Sequence, residues 1–138
     1  MRMKVKIDSG GFVPKRAHKN DAGLDLFSQC DLPILAKGIS VFDTGVHVEI
    51  PAGYVGFVKS KSSLMLSGIT TDGTIDCGYT GSIRVVLFNH SDKDYEVKAG
   101  QKIAQLVVLP IITPDVEIVG HLDQTERGTG GFGSTGKF

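Results

Sequence analysis

Apolar and polar residues alternate with a period of two along several stretches of the chain, as half-buried strands require. Met3, Val5 and Ile7 alternate with Lys4 and Lys6, and Val46, Val48 and Ile50 with His47 and Glu49 before Pro51-Ala52-Gly53 turns the chain. Ile83, Val85 and Leu87 share one face, and residues 102–110, KIAQLVVLP, form a denser run that reads as a buried strand ended by a proline. Val116 and Ile118 suggest one more strand. No segment carries a helical stripe of several turns; the one brief candidate is Ser62-Ser63-Leu64-Met65-Leu66, where a serine can cap a single turn. The pattern predicts an all-β domain, built as two packed sheets or a jelly-roll-like barrel.

Composition sharpens this picture. The 138 residues suit one domain, and 18 glycines without low-complexity runs imply many tight turns between short strands. Basic and acidic residues balance at 15 each, which argues against broad electrostatic capture of nucleic acid or membrane. An anionic ligand must then be met by a local cluster of donors. Cys30 and Cys77 are expected to be free thiols, and with no signal peptide or membrane span in view the expectation is a soluble, cytoplasmic protein. The sequence divides into a domain over 1–120 and an arm over 121–138, where five of the nine positions from Gly128 to Gly136 are glycine. Fully extended, that arm spans roughly 60 Å, enough to cross a small domain or reach a neighbouring subunit.

The candidate chemistry falls in five places. In the arm, glycine backbone N–H groups, Gly133 among them, can converge on an anion; Ser134 and Thr135 add hydroxyls, Arg127 a planar fork for phosphate, and Phe132 a face for a base. Residues 73–81, GTIDCGYTG, read as a tight hairpin presenting Asp76 and Tyr79, either an ordinary turn or a general base in a backbone-lined pocket. Asp25 stands between two leucines in Ala22-Gly23-Leu24-Asp25-Leu26, a flank pattern that normally faces a core. Lys61, Ser62 and Ser63 place cationic and hydroxyl donors at a possible helix start. Gln105 is embedded in the buried run that follows Gly100-Gln101-Lys102. The four histidines are scattered and none has metal-ligand spacing.

Taken in order, AGLDL at 22–26, KSSL at 61–64, GTIDCGYTG at 73–81, GQKIAQ at 100–105 and RGTGGFGSTG at 127–136 resemble the five motifs of the trimeric dUTPase family. That resemblance implies a jelly-roll-like fold (a β-clip, or distorted β-barrel) with a flexible glycine-rich C-terminal arm. It implies a homotrimer with active sites shared at subunit interfaces, and hydrolysis of dUTP to dUMP and pyrophosphate with Mg²⁺. Such an enzyme limits uracil incorporation into DNA and supplies dUMP for dTMP synthesis. By the same resemblance Asp76 deprotonates the water that attacks the α-phosphorus. Asp25 holds waters on a magnesium ion chelated mainly by the triphosphate, and Gln105 fixes the α-phosphate region. Lys61, Ser62 and Ser63 meet phosphate oxygens. Tyr79 packs on the deoxyribose, while the backbone around Gly73 and Ile75 reads the uracil edge. Phe132 stacks on the base as Arg127, Gly133, Ser134 and Thr135 close over the phosphates. No membrane or direct nucleic-acid partner is implied.

Two positions depart from the family pattern: Lys61 replaces the usual arginine and Ser60 the usual proline, so a bidentate phosphate contact is lost and weaker phosphate binding is expected. Cys77 is assigned no role. A related family, the dCTP deaminases, needs a glutamate on the strand after the hairpin; here Val86 occupies that place in IRVVLFN, which argues against deamination.

Overall fold

The β-branched and aromatic runs are realised as eleven strands and one short helix in the computed structural model, which describes residues 1–138. In chain order these are β1 (Lys4–Ile7), β2 (Gly23–Phe27), β3 (Leu32–Ile34), β4 (Ile39–Asp43), β5 (Val46–Glu49), β6 (Tyr54–Lys59), α1 (Ser62–Leu66), β7 (Ile69–Thr70), β8 (Asp72–Ile75), β9 (Arg84–Asn89), β10 (Tyr95–Val97) and β11 (Lys102–Pro110). A four-stranded sheet in the order β2-β11-β6-β8 packs with a three-stranded sheet, β4-β9-β7, and the ribbons β1-β5 and β3-β10 close the sides. All named pairings are antiparallel. The result is the jelly-roll-like all-β architecture that the alternation and the turn-rich composition predict.

Inward-facing residues of every unit meet in one core. Leu26, Val58, Ala104 and Leu106 come from the larger sheet, Phe42, Ile69, Val85 and Leu87 from the smaller, and Ile34, Val46, Val48 and Val97 from the ribbons. The predicted faces Val46/Val48/Ile50 and Ile83/Val85/Leu87 are all buried. Strand β11 is central because it pairs with β2 on one side and β6 on the other.

Four local expectations are corrected. Residues 73–81 are not a hairpin: β8 pairs with β6, whereas β9 pairs with β4 and β7, so the segment between them carries the chain from one sheet to the other. No strand forms at Val116–Ile118; regular structure ends at Pro110, the segment pairs with no sheet, and with nothing packed on them these two residues stay more than nine-tenths exposed. The helix cap position falls on Lys61, with no side-chain cap, so neither serine serves as one. Strand β1 forms, but Val5 remains exposed because, with its cross-strand partner Val48, it borders an open cleft beside this ribbon.

Candidate active site

The buried carboxylate of Asp25 organises one half of the site. It sits on β2, opposite Gln105 of β11, with its residue surface 3% exposed. Lys61 Nζ donates to its Oδ1 at 2.5 Å and Lys102 Nζ approaches Oδ2 at 3.0 Å. Burial opposes its ionisation, but the hydrogen bonds from Lys61 and Lys102, with their charges, outweigh that and hold its pKa below the ordinary carboxylate value. Gln105 donates through Nε2 to the carbonyl of Ser60 at 3.1 Å, which ties β11 to the segment entering α1. Ser60 Oγ in turn donates to the Thr71 carbonyl and accepts from the Thr71 amide, both at 2.9 Å. Gly23 is required beside this group: a β-carbon there would collide with the Gln105 side chain. That close approach explains the glycine of AGLDL.

Lys102 is the residue that period-two reasoning misses. Residues three apart on a regular strand point to opposite faces, so Lys102 and Gln105 read as divergent. The pairing shifts between Lys102 and Ala104, however, so that Lys102 lies opposite Phe27 and Gln105 opposite Asp25. The one-residue bulge lets Lys102 reach the carboxylate while Gln105 stays opposite Asp25 in the ladder.

The other half lies across the same sheet. Gln105 is opposite Lys59 on β6, and Lys59 is opposite Asp72 on β8, with which it forms an ion pair of 2.9 Å. Three strand spacings separate Asp25 from Asp72, about 14 Å. Immediately beyond β8, Asp76 and Tyr79 border a cavity of about 240 Å³ with Thr74, Ile75 and Arg84. Ile75 is buried beneath it, while Asp76 and Tyr79 are exposed. Tyr79 is held by its amide donating to the Asp76 carbonyl at 3.2 Å and its hydroxyl donating to the Ser82 carbonyl at 3.0 Å. Gly81 makes room for that ring, since a β-carbon would collide with the phenol. Thr74 and Arg84 also line the cavity, and only the fold reveals them. Gly73 lies on β8 opposite Val58. A larger cleft, of about 550 Å³, runs beside β1 and β5 and touches the same loop at Thr80, but neither Asp25 nor Asp76 lines it.

The remaining sequence candidates are not gathered with these. Ser62 and Ser63 are exposed on the first turn of α1. In the arm, the amides of Gly130 and Ser134 donate to Arg127 and Gly131, and Arg127 Nε donates to the Gly130 carbonyl at 2.9 Å, so these bonds stay within the segment. Phe132, Gly133, Ser134 and Thr135 are exposed. No cluster of three or more His, Cys, Asp or Glu side chains is placed to cage a metal ion. At the lysine-flanked half of the site a cation would meet the Asp25 carboxylate, both of whose oxygens already accept from lysines. This donor set fits an ion bound mainly by ligand phosphates with protein contact through water.

A depressed folded-state pKa at Asp25 means its contribution to stability is present above the unfolded value near ~3.9 and is lost as pH falls through the lower folded value. Asp25→Asn is expected to lower stability at neutral pH by about 1–3 kcal/mol, below the usual cost of breaking a fully buried pair because Lys61 and Lys102 reach solvent. It also flattens the acid limb of the stability curve, as urea midpoints at matched protein concentration between about pH 5 and pH 3 would reveal. An unchanged acid limb would mean the carboxylate is not held ionised by the two lysines.

The dUTPase family profile matches residues 11–136. The deoxyuridine 5'-triphosphate nucleotidohydrolase of Clostridium tetani is 44% identical over 98% of this chain and 97% of its own length. The enzyme of that name from Candida albicans is 45% identical over 98% of this chain and 88% of its own. Among solved structures, the Staphylococcus bacteriophage 80alpha dUTPase with dUPNHPP superposes with a TM-score of 0.92 at 31% identity, covering 99% of both chains. A point mutant of the dUTPase from phage phi11 of S. aureus, described as coordinating a structural Mg(II) ion, superposes at 0.81 with 28% identity over 88% of this chain and 98% of its own. With the profile covering almost the whole chain and relatives this similar over nearly their full length, the chain belongs to the dUTPase family.

Proposed function

We propose that the protein hydrolyses dUTP to dUMP and pyrophosphate, as its relatives' names describe for them, and so limits uracil incorporation into DNA while supplying dUMP. The observation that carries the reading is the pairing of an exposed acid and a phenol, Asp76 and Tyr79, on one small cavity. That cavity lies at the edge of the sheet whose far side holds the lysine-flanked Asp25. Strand β8 ends that sheet, so the backbone groups on its outer side face no protein strand. Those of Gly73 to Ile75 are free to pair with a uracil edge, and a base with the wrong donors would leave them unpaired. Tyr79 packs against the deoxyribose and leaves no space for a 2′-hydroxyl.

In the reaction Asp76 accepts a proton from a water molecule as its oxygen bonds to the α-phosphorus. The bond from that phosphorus to the bridging oxygen of pyrophosphate breaks, and the electron pair leaves with pyrophosphate. Gln105, Lys61, Ser62 and Ser63 orient the phosphates, with Lys61 exchanging part of its bond to Asp25 for a phosphate oxygen. Asp25 orients water at the triphosphate. Mg²⁺, when bound to the triphosphate, supplies charge neutralisation along it.

The arm over 121–138 completes the site in this reading: Phe132 stacks on uracil, and Arg127, Gly133, Ser134 and Thr135 cover the phosphates. Its exposure in a single protomer supports a role across subunits, in a homotrimer with shared sites. The smaller sheet adds support, because the cross-strand pair Ile39 and Phe88 is exposed on it beside Val41, an apolar face suited to a protomer contact. The exposed, unpaired Cys30 and Cys77 suit a reducing cytoplasm, and no helix is long and apolar enough to cross a membrane.

Asp76→Asn is expected to lower kcat for dUTP by about 10²–10⁴-fold with KM little changed, measured by pyrophosphate release with Mg²⁺. Turnover within a few-fold of the parent would remove Asp76 from the base role. Deletion of residues 127–138 is expected to leave a trimer by light scattering and to reduce kcat/KM by at least about tenfold through loss of stacking and phosphate contacts. Unaltered kcat/KM in that truncation would leave the arm without a part in closing the site.

A further inference from the structure

The loop over residues 76–82 leads from the larger sheet to the smaller and carries both Asp76 and Tyr79. Two side chains grip it from outside. Asp43 accepts from Ser82 Oγ, and His47 Nδ1 lies 2.7 Å from the Thr80 carbonyl oxygen, one residue beyond Tyr79. The other nitrogen of the same ring, Nε2, is 2.8 Å from Asp8 Oδ2, just past the end of β1. His47 projects from β5 on the side away from the core, flanked by the buried Val46 and Val48, and its side chain is 20% exposed. Next to it, the Ile83 amide donates to the Val46 carbonyl at 2.8 Å, so β5 already holds the exit of the loop.

Both partners of the ring are acceptors. A carbonyl never donates, and Asp8 is held ionised, its pKa lowered chiefly by the hydrogen bond from His47. Only an imidazolium, with a proton on each nitrogen, satisfies both bonds. A neutral ring keeps one proton. The carboxylate is the stronger acceptor and retains it on Nε2, which turns the Nδ1 lone pair toward the Thr80 oxygen and makes an attractive contact repulsive. The other charges near the ring are Lys6, opposite His47 on β1, and the pair Lys4 and Glu49 one step along the same ribbon; from the loop only the uncharged Thr80 faces it. Lys6 works against protonation, but it also lies 3.5 Å from Asp8, so the same carboxylate offsets both cations. The bonds to Asp8 and then to Thr80 raise the pKa of His47 above its ordinary value. The cleft of about 550 Å³ beside β1 and β5 gives solvent protons access to it.

We propose that His47 is a positioning residue for substrate binding: its doubly protonated ring ties the Thr80 carbonyl to Asp8, and loss of one proton loosens the Asp76–Tyr79 loop and weakens nucleotide affinity. The proposal rests on the reading of that loop as the deoxynucleoside site. It adds a residue outside the five motifs and a pH dependence with a defined sign, since the tie is intact at low pH and lost as pH rises through the raised pKa of His47.

The test combines kinetics and NMR on the full-length chain from about pH 6 to about pH 9, the range where a histidine of raised pKa titrates. KM for dUTP is expected to rise roughly three- to tenfold across the His47 titration, the worth of one hydrogen bond, with kcat changing less than about twofold. His47→Gln, which offers one donor in place of two, is expected to show the high KM throughout and no step. Asp8→Asn keeps the ring but removes its counter-charge, so the step moves down by about one pH unit. Without substrate, the ¹⁵N shifts of the His47 ring and the amide shifts of Tyr79 and Thr80 are expected to share one midpoint. A His47 ring that titrates at or below the ordinary histidine value, loop amides that ignore its titration, or a KM step at the same pH in Asp8→Asn would each overturn the proposal. Amides that follow the titration in a protein that turns over no dUTP would uphold the tie and strike instead at the substrate reading.

Discussion

A carboxylate removed from water between strands of leucine and phenylalanine is the constraint on which the rest of this site depends. Burying Asp25 costs several kcal/mol unless its charge is met, and two lysines meet it from different elements, Lys61 at the cap of α1 and Lys102 at the start of β11. Holding both lysines on one acid fixes where α1 begins relative to the sheet. It also requires the bulge that turns Lys102 inward and the glycine at 23 that lets Gln105 lie flat against β2. A chain with no net charge thereby concentrates two cationic donors at one point.

The second half of the site follows from topology. Because β8 pairs with β6 and the chain then crosses to the other sheet, the loop bearing Asp76 and Tyr79 hangs at an edge, its adjoining backbone free on the outer side. An edge of this kind can pair with a flat heterocycle through the main chain, while the crossing loop carries the acid and the phenol to one cavity. Its rigidity comes from few contacts: two internal bonds involving Tyr79, and anchors from Asp43, Val46 and His47. Apolar residues are left exposed on the smaller sheet and in the arm, Ile39, Val41 and Phe88 on the one and Leu122, Phe132 and Phe138 on the other.

Much of the fold was legible in the sequence because its strands are buried on one face, and period two is then a direct record of packing. Val46/Val48/Ile50 and Ile83/Val85/Leu87 are of this kind. What failed was non-local. The partner of β8 lies across an intervening helix and strand, so proximity in sequence wrongly suggested β9. Val116 and Ile118 have the composition of a strand, but they lie beyond Pro110, where regular structure ends, and pair with none of the sheets. At the site, the family resemblance singled out Asp25, Lys61, Gln105, Asp76 and Tyr79, and the odd acid between leucines carried a physical signal of its own, a buried charge. Lys102 was hidden by the bulge, Arg84 by the crossing of the sheets, and the contacts of His47 by separations of 33 and 39 residues.

The proposed function requires this constellation to select a deoxyuridine triphosphate and cleave it at the α-phosphorus. The most direct measurement is a parallel assay of dUTP, dCTP, dTTP and UTP with Mg²⁺ in ¹⁸O-water, following pyrophosphate, the nucleotide products and the position of the label. Rapid release is expected from dUTP alone, with ¹⁸O in the phosphate of dUMP and none in pyrophosphate. Label in the pyrophosphate, comparable cleavage of the other nucleotides, or no release at all from the folded protein would contradict it.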